Sequence, residues 1–308
     1  MIVVTGGAGF IGSNLVIKLV EEGYDVTVFD NFATGKLENL KTVKNKIKLI
    51  KGDVRDFGIV KRALKGSDFV FHQAALPSVV RSVKDPITTN EVNVKGTLNI
   101  LLAARDCGVK RVIYASSSSV YGESESPKKE DMLTAPISPY AVAKLAGELY
   151  CRAFYNIYGL ETIALRYFNV YGPRQDPSSE YAAVIPKFIN LMLKDRQPII
   201  YGDGNQTRDF TFVDDVVEAN ILAMKAKKGI GETFNIAYGK QTSINKLVEI
   251  LNKILAKRIK AAYSGQRKGD IRHSLADISK ARTVLGYRPK YDIESGLKRT
   301  IEWYKSNI

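Results

Sequence analysis

The chain opens Met1-Ile2-Val3-Val4-Thr5-Gly6-Gly7-Ala8-Gly9-Phe10-Ile11-Gly12 and continues Ser13-Asn14-Leu15. A short apolar run stops at glycine, and an apolar-periodic helix starts beyond the third spaced glycine. Gly6 and Gly9 permit a tight turn and close approach of backbone to a pyrophosphate, while Gly12 lets the helix pack on the strand. Phe10 and Ile11 stand at the helix N-terminus, where N–H groups without intrahelical partners attract phosphate. A second strand, Asp25 to Phe29, ends at Asp30, eighteen residues after Gly12. An acid there accepts hydrogen bonds from ribose hydroxyls and repels a 2′-phosphate, so the pattern favours NAD over NADP.

Working outward, strand runs occur at Ile47–Lys51, Phe69–His72, Lys110–Ala115 and Glu161–Arg166. Helical patterns lie between them at Gly58–Leu64, Glu91–Cys107 and Tyr140–Tyr158. Strand alternating with helix predicts an α/β fold, a Rossmann-type doubly wound parallel sheet. Asp53 and Val54 close the third strand, within reach of an adenine edge. Gln73, Ala74 and Ala75 close the fourth and are small enough for a cofactor to lie across the strand ends.

The fifth strand runs into Ser116-Ser117-Ser118-Ser119. Hydroxyls at the carboxyl end of a parallel strand face the crevice where ligands bind. Downstream, Ser138-Pro139 starts a helix on which Tyr140 and Lys144 share a face one turn apart. A tyrosine working as a base near pH 7 must lose about 3 units of pKa, roughly 4 kcal/mol. A lysine charge about 6 Å away at an effective dielectric of about 20 supplies roughly 2.8 kcal/mol. An oxidised nicotinamide is a second cation able to close that gap.

After Arg166 the alternation ends. Helices at 183–193, 213–226, 244–255 and 293–305 are separated by short strands such as Ile199–Tyr201 and Thr233–Ala237. The expected division is a dinucleotide-binding domain over 1–168, rejoined by about 207–237. A smaller, interleaved α/β substrate lobe takes 169–206 and 238–308.

Composition narrows the alternatives. Of 308 residues 45% are hydrophobic and 25% charged, as in ordinary globular proteins. A formal charge of +14 is spread along the chain without a basic, aromatic-interleaved block, so no nucleic-acid partner is expected. Two cysteines and two histidines without ligand spacing argue against a catalytic metal. No apolar run reaches membrane-spanning length and no leader pattern opens the chain, so a cytoplasmic location is expected.

Taken together, Thr5 to Gly12, Ser117 to Gly122, Tyr140 to Lys144, Arg166 to Gly172 and Thr207-Arg208-Asp209-Phe210 resemble the extended short-chain dehydrogenase/reductases. Within them the chain is similar to nucleotide-sugar 4-epimerases, above all those acting on UDP-N-acetylglucosamine. That likeness rests on Arg174 to Pro177, Tyr181 to Lys187 and Gly269 to Asp277, and it covers essentially the whole chain. The resemblance implies that Tyr140 takes the sugar 4-hydroxyl proton while C4 delivers hydride to bound NAD. Ser117, or Ser118 beside it, relays the proton, and Lys144 holds the nicotinamide ribose and lowers the Tyr140 pKa. The cofactor set it implies adds Asn31, Gly35, Asn93 and Phe168 to the residues above. The substrate set is Ser78, Ser117, Ser118, Asn169, Ala183, Val184, Lys187, Tyr201, Arg208, Arg267, Asp270 and Ser274.

The resemblance also implies a homodimer through the 91–107 and 140–158 helices. Related 4,6-dehydratases carry an acidic pair where Ser118 and Ser119 stand, which disfavours dehydration here. Runner-up readings are a UDP-uronate 4-epimerase and a UDP-glucuronate decarboxylase, with Arg81 or Arg174 as the extra cation. A non-catalytic NAD-dependent sensor has no need of the Tyr140–Lys144 pair. Because the same hydride must return, the protein as purified is expected to carry tightly bound NAD and to need none added. Release of the cofactor by acid precipitation and its enzymatic assay check this; activity only with added NADP would overturn the reading of Asp30.

Overall fold

The structure, a computed structural model, describes residues 1–177, 183–265 and 271–307. Its first half alternates β1 (Ile2–Thr5), α1 (Phe10–Glu21), β2 (Val26–Asp30), β3 (Ile47–Lys51), α2 (Phe57–Leu64) and β4 (Phe69–His72). There follow α3 (Val79–Lys84), α4 (Pro86–Asn90), α5 (Gly96–Asp106), β5 (Arg111–Ser117), α6 (Pro139–Tyr158) and β6 (Glu161–Tyr167). The remainder comprises β7 (Val170–Tyr171), α7 (Val184–Leu193), β8 (Ile199–Tyr201), β9 (Thr207–Asp209), β10 (Thr211–Phe212) and α8 (Val213–Lys225). It ends with β11 (Thr233–Ile236), β12 (Gln241–Ser243), α9 (Ile244–Leu255), β13 (Ala262–Ser264) and α10 (Ile293–Asn307).

Seven strands form one sheet in the order β11-β6-β5-β4-β1-β2-β3, every neighbouring pair parallel. The order reverses between β1 and β4, which opens a crevice at the carboxyl ends of those strands. Alternation along each strand feeds two cores. Ile2, Val4, Phe71, Ile113 and Ile163 belong to one apolar cluster with α1 and α8, while Val3, Val70, Val112 and Ala164 belong to another with α2, α5 and α6. Burial on both faces explains why β1 reads as a continuous apolar run.

The return to the sheet layer consists of α8, which packs on α1, and β11, which pairs with β6. β9 instead pairs antiparallel with β12 in a separate two-stranded sheet. A third apolar cluster, including Phe188, Ile189, Phe210, Leu247 and Leu297, forms the core of the lobe.

Two elements differ from the sequence reading. The expected helix over 91–107 begins as a π-type turn, Glu91–Lys95, before α5. The widened turn lies where the Asn93 side chain bonds the Leu76 backbone, Oδ1 accepting from its amide at 2.8 Å. β5 extends two residues beyond its expected end because Ser116 and Ser117 pair with Arg166 and Tyr167 of β6. That extension carries the serines to the edge of the crevice.

Candidate active site

The glycine turn has the shape expected of a phosphate cradle. Gly6 adopts a left-handed φ of 66°, and a Cβ there would stand 2.7 Å from the backbone of Ala74. A Cβ on Gly12 would stand 2.1 Å from the Gly6 carbonyl oxygen, so α1 meets its strand only without a side chain. Gly9 caps α1 without a side-chain acceptor, and the first turn holds no acid. These bare N–H groups suit a diphosphate.

Asp30 lies buried beneath the turn, its Oδ2 accepting from the Ala8 amide at 2.9 Å and its Oδ1 from Phe32 at 2.8 Å. Burial raises its carboxyl above the ordinary value despite those bonds. Gly35 is buried against Ala8 and Asp30, where a Cβ would come within 3.0 Å of Oδ2. Asn31 donates to Asp53 at 2.9 Å, and Arg55 adds two further bonds that hold the Asp53 carboxyl down at about 2. Val54 is buried against Gly96.

Beneath the turn, His72 joins Thr5 at 2.7 Å and Thr97 at 3.0 Å, and burial pushes it down to about 3. It is a neutral core histidine. Gln73 donates to Tyr167 at 3.1 Å and to Asn220 at 3.0 Å. The predicted cofactor residue Phe168 has no exposed side-chain surface and packs beside Tyr121, so its ring faces the core.

α6 starts where the sequence places it: Ser138 Oγ accepts from the Ala141 amide at 3.2 Å, with Pro139 in the first turn. Ser117, at the end of β5, lies near enough to Tyr140 to favour its ionised form. Lys144 is buried with Nζ 5.9 Å from the Tyr140 ring centroid, and it donates to the Ala115 carbonyl at 2.7 Å. The expected fall in the Tyr140 pKa is not what the protein alone produces. Burial raises the phenol above its ordinary value, opposed by Ser117. Burial also pulls Lys144 down to about 8, which leaves the ammonium the dominant form at neutral pH. Ser118 falls in the 3-10 turn after β5.

On the lobe side, Asn169 has a left-handed φ of 35° and donates to the Asp209 carbonyl at 3.1 Å. Arg208 and Tyr201 lie at intermediate exposure on β9 and β8, and Arg208 Nη1 donates to Thr207 O at 2.8 Å. Ala183 caps α7, whose first turn contains Val184 and Lys187. Ser274 is buried, its amide donating to Thr207 O at 3.2 Å, which places it beside Arg208. Ser78 caps α3 by accepting from the Arg81 amide at 3.1 Å. Arg267 and Asp270 lie outside the described residues.

Among the buried carboxylates to which the sequence reading gave no role are Glu148 and Asp209. Glu148 sits four residues after Lys144 on the same face of α6, a spacing visible in the sequence. Asp209 has no such signal. Its fully buried carboxylate accepts from the amides of Tyr238, Gly239 and Ala276 at 3.1, 3.1 and 3.2 Å, which pins β9 to two distant segments.

A family model described as the NAD dependent epimerase/dehydratase family matches residues 2–237. The UDP-glucose 4-epimerase of Mycolicibacterium smegmatis is 40% identical over 308 residues, 98% of each chain. The solved UDP-N-acetylglucosamine 4-epimerase of Methanobrevibacter ruminantium, in complex with UDP-N-acetylmuramic acid, superposes with a TM-score of 0.96 at 44% identity. It covers 100% of this chain and 98% of its own. The UDP-glucose 4-epimerase of Thermotoga maritima, solved with UDP-glucose, gives 0.95 at 42% identity over 99% and 98%.

Burial pushes Asp209 up to about 7. The unfolded carboxyl titrates near 4 and the folded one near 7, so the folded state binds the extra proton between those values. Stability is therefore expected to fall as pH rises from about 4 to about 7. Asp209→Asn should flatten that part of the curve. Urea midpoints measured across the window check it, and an unchanged slope in the variant would exclude the assignment.

Proposed function

Because the chain belongs to the NAD-dependent epimerase/dehydratase family, we propose that it inverts C4 of a UDP-hexose through a 4-keto intermediate. The substrates are UDP-N-acetylglucosamine and UDP-N-acetylgalactosamine, with UDP-glucose and UDP-galactose as a second pair. The observation that carries this reading is the meeting of Lys144 with the carboxyl end of β5, where Nζ donates to the Ala115 carbonyl at 2.7 Å two residues before Ser117 and lies 5.9 Å from the Tyr140 ring centroid one turn back along the same helix. NAD held in this crevice would supply reversible hydride transfer at C4, with no net redox change over the cycle. The cradle at Gly6, Gly9 and Gly12, the uncapped start of α1 and Asp30 fit that cofactor.

The chain's own residues handle the proton. Ser117 holds the sugar 4-oxygen and passes its proton to Tyr140, and the same path returns a proton after the keto sugar has turned. Lys144 orients the nicotinamide ribose and supplies positive charge near the phenol. Arg208, and Arg267 beyond the described residues, are assigned to the diphosphate, Tyr201 to the uracil face and Asp270 to the ribose. Asn169, Val184 and Lys187 line the nucleotide end. Of the cations considered for a uronate, Arg174 donates to Asn14 of α1 at 2.8 Å, an orientation toward the cofactor side that favours a neutral C6.

No helix among the described residues is long and apolar enough to cross a membrane, in keeping with the proposed cytoplasmic enzyme. The proposed homodimer is supported by an apolar stripe on α6, where Val142, Leu149 and Ile157 are exposed beside Val83 of α3 and Ile87 of α4. On α5 the exposed side chains at Arg105 and Asp106 are charged, so the apolar contact shifts to α3 and α4. Leu149→Glu should sediment as a monomer while the native chain sediments as a dimer; a monomeric native chain would refute the assembly.

Ser274 is taken as the residue that admits the N-acetyl group. It is small and buried beside Arg208, and the capping of the next turn falls to Asp277, which accepts from the Ser279 amide at 2.8 Å. Ser274→Tyr is expected to exclude the N-acetylhexosamine pair by steric overlap and to spare UDP-glucose and UDP-galactose. kcat/KM for both pairs, with no cofactor added, decides the point. If both pairs fall together, or neither falls, the preference for the acetylated sugar is wrong.

A further inference from the structure

The face of α6 that carries Tyr140 and Lys144 continues one turn further to Glu148, and the three side chains grip consecutive parts of the end of β5. Tyr140 lies near Ser117, Lys144 Nζ donates to the Ala115 carbonyl at 2.7 Å, and Ser116 Oγ donates to Glu148 Oε1. Glu148 is held in turn from β6. Arg166 Nε donates to Oε1 at 2.9 Å and Nη2 to Oε2 at 2.7 Å, while the guanidinium lies 4.6 Å from the Tyr121 ring centroid. Ser116, Lys144, Glu148 and Arg166 are all buried. Burying such a pair gives little stability over apolar side chains of similar volume, so stability does not account for it. What the pair adds here is a carboxylate one turn from Lys144, its own charge balanced by Arg166, and a fixed register behind Tyr140 and Lys144.

We propose that Glu148, held by Arg166, is a positioning residue that keeps Lys144 charged and the Ser117–Tyr140 pair aligned for proton transfer. The inference rests on the epimerase reading. The groups facing Lys144 are Tyr140, Glu148 and Cys151 on α6, Tyr114 of β5 with its ring 5.2 Å from Nζ, His72 of β4, and Arg166 of β6 behind Glu148. His72 is neutral, and burial pushes Tyr114 and Cys151 well up, so neither supplies a negative charge near neutral pH. Glu148 is thus the carboxylate that offsets the burial of the Lys144 ammonium. Replacing it with an amide of the same shape leaves Arg166 as an uncompensated buried cation, which disfavours a second cation nearby.

The test compares kcat against pH for the native enzyme, Glu148→Gln and the double variant Glu148→Leu/Arg166→Met. In Glu148→Gln the alkaline limb, where Lys144 loses its proton, should move down by at least about one pH unit, with KM for the UDP-sugar changed less than about twofold. The double variant removes both charges. Its limb should recover part of the shift, since the uncompensated Arg166 cation is gone, but stay below the native position because Glu148 no longer offsets the burial of Lys144. Its kcat stays about tenfold low because Ser116 has lost its acceptor. A uniform fall in kcat across pH in Glu148→Gln, with no movement of the limb, overturns the proposal. Should the single variant fail to fold, native kcat in the double variant overturns it instead. Tyr140→Phe, run in parallel, should lose about 10²–10⁴ in turnover. Near-native turnover there would remove the epimerase reading itself, whereas a dead Tyr140→Phe with an unmoved Glu148→Gln limb removes only the role of Glu148.

Discussion

A parallel seven-stranded sheet whose central strands are buried on both faces leaves the chain one edge on which to assemble polar chemistry. Every strand of the sheet points the same way, so loop after loop delivers its residues to the carboxyl edge, and the reversal between β1 and β4 opens a crevice there. The glycine turn, Asp30, Gln73 and Ser117 all stand at such strand ends. Their proximity follows from the direction of the strands, since they come from widely separated parts of the sequence.

That edge is stiffened by polar groups whose partners are all within the protein. Thr5, His72 and Thr97 form a chain below the nucleotide crevice, Gln73 links Tyr167 and Asn220, and Asp209 gathers three segments of the lobe. Buried polar groups are costly when unpaired, so each network favours one arrangement over its neighbours. The catalytic groups therefore rest on a scaffold with little freedom to adjust.

Electrostatics at the site divide between protein and cofactor. The protein alone holds Tyr140 above its ordinary pKa and Lys144 below its own, because burial penalises the charged form of each. A positive nicotinamide bound beside Tyr140 would favour the phenolate, the form that the proposed proton transfer uses.

By itself the sequence determined the layered α/β class, the glycine cradle, the acid at Asp30 and the helix bearing Tyr140 and Lys144. Each of these is a local pattern: a periodicity, a required glycine or a spacing along one helix. Only the tertiary structure decided the sign of the Tyr140 shift, the burial of Phe168 and the role of Ser78 as a cap. It also decided the pairing of Thr207–Asp209 with β12 and the convergence of Asp209 on Tyr238, Gly239 and Ala276. These depend on desolvation and on partners far away in the chain, and neither leaves a mark on a short stretch of residues. Glu148 lies between the two cases. Its place on the helix face was legible four residues after Lys144, but its meaning came from Arg166 and Ser116, which only the pairing of β5 with β6 brings to it.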